Sequence, residues 1–276
     1  MRVVVTGGSG KGGAWVVRDL RDHGHDVLNV DVRNDGSAFG LCLVADLTDL
    51  GQTLDALAGA DAIVHFAAIP APGLRPEGET FRTNALSTYN VFAAAVAHNV
   101  RRVVWASSET VLGLPFDIPP AFAPIDETIE PRPESSYSLS KLVGETMAAQ
   151  FARRNPVDFV GLRLSNIMEP ADYAAFPSWQ DDPSIRKWNL WGYVDARDVA
   201  QAARLALDAP VEGAEICIVA AADTVMLRPS ADLMADVFPT VPLRRPVEGR
   251  ATLLAIDHAR RLLGYEPAYL WQDQLG

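Results

Sequence analysis

Short apolar runs recur along the chain, and most are followed by a stretch with helical spacing. Val3–Val5 ends at Gly7-Gly8 and leads into a helical pattern over Ala14–His23. Val27–Val30 closes on Asp31, Leu41–Ala45 is a third run, and Leu50–Ala58 reads as a helix. The rhythm continues with a strand at Ala62–Phe66 and a helix at Thr80–Asn99. A strand at Arg102–Ala106, a helix at Ser135–Arg154 and a strand at Phe159–Leu164 follow. A helix at Asp195–Asp208, a strand at Glu215–Ala220 and short helices at Ser230–Val237 and Asp257–Leu263 complete the pattern. The strands are continuously apolar instead of alternating, which suits strands covered on both faces. Strand and helix in alternation predict βαβ units around a mostly parallel, doubly wound α/β sheet.

Two segments break the pattern. Leu114–Glu134 carries six prolines and almost no helical period, and Glu169–Tyr193 is irregular with three tryptophans. Loops this long are uncommon in compact domains and often carry function.

Composition narrows the class. A chain of 276 residues, 49% apolar and 21% charged, is ordinary for a soluble globular protein. The formal charge of −11 argues against a nucleic-acid partner, which needs clustered Lys and Arg. Cys42 and Cys217 each sit in an apolar run with no CxxC, so buried thiols in a reducing cytoplasm are expected. The five histidines show no HExxH, and no metal site is expected. "MRVVVTGG" does not read as a signal peptide. No apolar run reaches the roughly 18 residues of a membrane span, so a cytoplasmic protein without a membrane partner is expected.

"TGGSGKGG" places Gly7, Gly10 and Gly13 as GxxGxxG between the first strand and first helix, with Ser9 and Lys11 among them. Glycines there let backbone approach a pyrophosphate, and the helix start offers free N–H donors. Asp31, 18 residues beyond Gly13, ends the second strand where a carboxylate accepts from a ribose diol. It repels a 2′-phosphate and so favours NAD over NADP, although Arg33 nearby offers compensation.

"SSYSLSK" holds Tyr137 and Lys141 at i and i+4, on one helix face. A phenol near pKa 10 is a poor base unless a cation favours the phenolate, and Lys141 is expected to supply that cation. Ser108, at the end of the fifth strand, stands where ligands of open α/β sheets bind. Glu109 and Thr110 follow it, and Trp179 is one of three tryptophans able to wall a sugar pocket. The bland alternatives are an exposed Tyr–Lys pair, a solvated loop acid and tryptophans packing a small lobe. His65 is expected to pack, and Asp195 and Asp198 to cap and anchor a helix.

Taken in order, these stretches resemble the extended short-chain dehydrogenase/reductase family, in its NAD-dependent epimerase/dehydratase group. "ADL" (Asp46, Leu47), "HFAA" (Phe66, Ala67, Ala68), Asn84, "SSETVLG", "YSLSK", "LRLSNI" (Asn166, Ile167), "YVDARDVA" and "LGYEP" followed by Trp271 fit its elements over nearly the whole chain. The resemblance implies an NAD-binding Rossmann domain over 1–164. It also implies a small substrate lobe over 165–276, interleaved with completion of the sheet. NAD would contact Gly7, Ser9, Gly10, Lys11, Gly13, Asp31, Arg33, Asp46, Leu47, Phe66, Ala67, Ala68, Asn84, Tyr137, Lys141, Asn166 and Ile167. Ser108, Tyr137 and Lys141 would be catalytic, with Ser108, Glu109, Thr110, Tyr137 and Trp179 at the substrate. Tyr137 would take the proton as hydride leaves a secondary alcohol or lactol carbon of a small sugar-like molecule, or a sugar acid, for NAD⁺. A sugar epimerase or dehydratase without net redox, and a non-catalytic NAD(H)-binding regulator, are the competing readings. A homodimer through the helices of Thr80–Asn99 and Ser135–Arg154 is also implied. Within the family the chain is most similar to uronate dehydrogenases. It departs from them at Glu109-Thr110, where they carry Asn-His, and near Ala174, where they carry a carboxylate-binding Arg.

Overall fold

The computed structural model describes residues 1–34 and 41–274. Seven parallel strands form the central sheet: β1 (Arg2–Thr6), β2 (Asp26–Asp31), β3 (Cys42–Val44), β4 (Ala62–His65), β5 (Arg102–Ser108), β6 (Asp158–Leu164) and the last strand, Ala214–Val219. Their order is β3-β2-β1-β4-β5-β6 with Ala214–Val219 outside β6. The winding reverses between β1 and β4, so a crevice opens at the carboxyl ends there, where such sheets take ligands.

Both faces are covered, as the continuous valines require. Val3 and Val5 face one core with α1 (Lys11–Asp22) and the helix Ala196–Asp208, whereas Val4 faces another with α2 (Leu50–Leu57), α3 (Glu77–Ala97) and α4 (Ser136–Ala152). Burying each such valine contributes about 1.5–3 kcal/mol. Phe92 of α3 closes that second core edge-on against Trp105 and Phe159, at centroid distances of 5.9 and 4.7 Å.

The serines of "SSYSLSK" are in part a helix start. Ser135 Oγ accepts from Ser138 N (3.1 Å) while Ser138 Oγ accepts from Ser135 N (2.9 Å), a reciprocal cap that fixes where α4 begins. α3 begins three residues before the sequence pattern, following Pro76.

Glu169–Tyr193 is wound into 3₁₀ turns over Pro170–Trp179, Pro183–Ile185 and Lys187–Asn189. A two-stranded sheet, β7 (Ile167–Met168) with β8 (Val194–Asp195), brackets that segment; the helix Ala196–Asp208 is α5 and the strand Ala214–Val219 is β9. Asp195 caps α5 by accepting from Arg197 N, and Asp198 accepts from Ala268 N and Tyr269 N. α6 (Ser230–Val237) and α7 (Asp257–Leu263) follow, and a 3₁₀ turn over Trp271–Gln274 ends the described residues. The Pro-rich loop lies along the β9 edge, where Glu127 Oε1 accepts from Ile218 N at 2.7 Å. Cys42 and Cys217 are buried free thiols, and no described helix is long and apolar enough to cross a membrane.

Candidate functional site

One cavity of about 1070 Å³ runs along the carboxyl ends of the strands from the Gly loop to the end of β6. Gly7 has φ +73°, and a Cβ there would lie 2.4 Å from Ala67 N. A Cβ on Gly13 would lie 2.1 Å from Gly7 O. The loop is thus closed against itself and against the Phe66–Ala67 backbone, and only glycine fits at these two positions. Gly7 N donates to Val30 O, and Gly10 N to Gly7 O. Asp31 Oδ2 accepts from Ser9 N at 3.1 Å and Oδ1 from Val32 N at 2.8 Å. The acid at the end of β2 therefore also positions the loop. Lys11 lines the cavity with its ammonium paired to Asp172.

Asp46 is held below the usual carboxylate range by hydrogen bonds from Thr48. Leu47, Phe66, Ala67, Ala68, Arg33, Asn166 and Ile167 also line the cavity. Asn84 does not. Its side chain accepts from Ile69 N (2.8 Å) and donates to Ile69 O (3.1 Å), so it anchors the cavity-lining loop instead of facing the cavity.

Ser108, Tyr137 and Lys141 share one stretch of wall. Ser108 Oγ accepts from Thr110 N (3.2 Å) and Thr110 Oγ1 (3.0 Å). Lys141 Nζ donates to Ala106 O at 2.8 Å and stands 5.6 Å from the Tyr137 ring centroid. The expected lowering of the phenol is absent. Burial pushes Tyr137 up to about 12, a hydrogen bond with Ser108 opposes this, and Glu109 adds to it. Burial likewise brings Lys141 down to about 8. His65 packs as expected, between Thr6 and Thr88, and burial holds it neutral, down to about 3.

One substrate expectation changes. Trp179 is not on the cavity wall. Its ring lies 4.6 Å from Phe176 and 4.7 Å from the Arg186 guanidinium, and Trp188 is the tryptophan that faces the cavity. Glu109 is a buried group and not a solvated loop acid, with its carboxylate held by Ser165 (2.6 Å) and Asn189 (3.1 Å). Ser165 itself lines the cavity and was overlooked, although it stands directly before Asn166 at the end of β6.

A clamp lies behind this wall. Arg163 of β6 donates from Nε and Nη2 to the two oxygens of Glu145 on α4, at 2.9 and 2.8 Å. Ser107 of β5 adds a third bond to Glu145 at 2.7 Å. The three elements bearing Ser108, Lys141 and Ser165 meet at one buried carboxylate.

The family model described as NAD dependent epimerase/dehydratase matches residues 3–220. A uronate dehydrogenase of Pseudomonas syringae pv. tomato is 31% identical over 186 residues, which span 64% of each chain. An L-arabinose 1-dehydrogenase (NAD(P)(+)) of Haloferax volcanii is 26% identical over 79% of this chain and 86% of its own. In fold, the chain matches a short-chain dehydrogenase/reductase superfamily protein from Agrobacterium tumefaciens, crystallised with bound NAD. That match has a TM-score of 0.76 and 24% identity, over 100% of this chain and 95% of that one.

Proposed function

The chain belongs to the NAD dependent epimerase/dehydratase family, and from that premise we propose that it is a dehydrogenase oxidising a secondary alcohol or lactol carbon of a small sugar-like substrate. The observation that carries the reading is the meeting of Ser108, Tyr137 and Lys141 on the wall of the same cavity that the Gly loop closes. The residues fit NAD. Gly7 and Gly13 leave no room for a side chain, free N–H groups begin α1, and Asp31 offers a carboxylate at the end of β2. When bound, NAD⁺ supplies the acceptor for the hydride.

The chain's own residues handle the proton and the geometry. Ser108 holds the reacting oxygen beside the Tyr137 phenol oxygen, which in its ionised form takes the proton of the substrate alcohol. Lys141, fixed by its bond to Ala106 O at 5.6 Å from the phenol ring centroid, is the cation nearest the reacting oxygen. The lobe after β6 is small, which suits a free sugar or polyol better than a nucleotide-sugar.

The test is formation of reduced nicotinamide on mixing the protein with NAD⁺ or NADP⁺ and a panel of aldoses, polyols and hexuronates, with sugar consumption followed by NMR. Net NADH is expected, with NAD⁺ preferred over NADP⁺ by about tenfold or more, one step of about 1.4 kcal/mol. Sugar conversion without net NADH would move the reading to an epimerase.

The assembly we propose is a homodimer through α3 and α4. Leu86 and Tyr89 of α3 and Leu139 of α4 are exposed, on helices whose other large apolar side chains are buried or half-buried. Light scattering should read a mass of twice 29.8 kDa; a single-chain mass would end this assignment.

A further inference from the structure

Glu109 follows Ser108 directly, so a carboxyl group is fixed beside the reacting position. It is 3% exposed and lines the cavity. Burial pushes it up to about 7, against hydrogen bonds from Ser165 and Asn189, the charge of Arg186 and a backbone bond from Asn166. A carboxylate offers about four lone-pair sites. Ser165, Asn189 and Asn166 take three, which leaves a place for one further donor.

The cations of the site do not complement an anion here. Arg186 is 7% exposed and held between Trp179 and Trp188, at 4.7 and 4.8 Å from their ring centroids. It donates to Asn166 Oδ1 and Gly192 O, and it is not on the cavity wall. Among the described residues the wall carries Lys11, Arg33 and Lys141. Lys11 is paired with Asp172, and Lys141 is committed to Ala106 O beneath the Tyr137 ring. Arg33 follows β2, three strand spacings from β5 in the sheet order, or about 14 Å.

We propose that Glu109 determines substrate charge: its carboxylate accepts a hydrogen bond from a hydroxyl of a neutral sugar and turns away sugar acids and sugar phosphates. A hydroxyl can occupy the remaining lone-pair site with a charge-assisted bond. Above about pH 7, where Glu109 is ionised, an anionic carboxylate or phosphate group offers no hydroxyl hydrogen bond and meets a like charge in a desolvated pocket. The assignment rests on the dehydrogenase reading and narrows it to neutral aldoses or polyols.

The test is calorimetric binding to the protein saturated with NADH, using matched pairs: D-galactose with D-galacturonate, and D-glucose with D-glucuronate and D-glucose 6-phosphate. The unmodified protein should bind at least one neutral sugar tenfold or more tighter than its anionic counterpart. Glu109→Gln keeps the shape and an acceptor oxygen but removes the charge, and should narrow that ratio at least fivefold, mainly by tighter binding of the anion. Equal or tighter binding of the anions, no binding of any neutral sugar, or an unchanged ratio in Glu109→Gln would overturn the proposal. The ratio in the unmodified protein stands as a test even if the variant fails to fold. Binding is read without turnover, so a bound neutral sugar that yields no NADH would count against the dehydrogenase reading and leave the role of Glu109 standing.

Discussion

Tyr137→Phe is expected to lower turnover by about a thousandfold, within the 10²–10⁴ range of a positioned acid or base. NADH affinity should stay within about threefold, or under about 0.7 kcal/mol. The change removes one oxygen. The ring is 8% exposed and keeps its packing, and Lys141 keeps its bond to Ala106 O. What disappears is the hydroxyl beside Ser108, the titrating group that burial pushes up to about 12. Single-turnover kinetics read the chemical step, and a fluorescence titration with NADH reads the cofactor. Turnover retained at a tenth or more of normal would remove Tyr137 from the proton-transfer role. A parallel loss of NADH affinity would mean that the phenol mainly shapes the cofactor site.

The second large effect is on stability. Arg163→Met should cost about 3–5 kcal/mol, because it leaves the Glu145 carboxylate buried without its partner. At about 2–4 °C per kcal/mol for a domain of this size, the melting temperature should fall by roughly 10 °C. Adding Glu145→Leu should restore most of the loss, since an apolar pair of similar volume often matches a buried ion pair. Thermal melts of the single and double variants decide this. A loss below about 1 kcal/mol in the single variant would show that Ser107 and the surrounding packing suffice. The double variant should regain stability more fully than activity, because no polar group would then tie β5 and β6 to α4 at this point.

Most of the strand and helix plan was legible because parallel strands buried on both faces announce themselves as unbroken β-branched runs. Val3–Val5 and Ala62–Phe66 needed nothing distant to be recognised. The Gly loop and the Tyr137–Lys141 spacing were legible for the same reason: each is local. What stayed hidden depends on remote partners. Sequence leaves Glu109 open between a substrate contact and a solvated loop acid, because Ser165 and Asn189, which fold over it, lie 56 and 80 residues away. Glu169–Tyr193 has no period, so nothing in it said that Trp188 faces the cavity while Trp179 covers Arg186. Asn84 stands on the expected helix and bonds the Ile69 backbone, a contact that helix spacing does not reveal. The influence of Lys141 on the phenol was overestimated because sequence spacing carries no measure of burial.

The carboxylate that Glu127 lays against Ile218 has a bearing on how this protein avoids edge-to-edge strand pairing. β9 is the outermost strand, and the N–H of Ile218 turns outward, away from β6. A free row of such groups invites strand-by-strand growth with another chain. An acid from the Pro-rich loop occupies that donor, and backbone bridges from Ala123 and Ile125 to Leu243 and Leu254 hold the loop in place. The segment before α4 therefore guards against aggregation as well as bordering the cavity. Shortening it to open the site would expose a template for polymerisation.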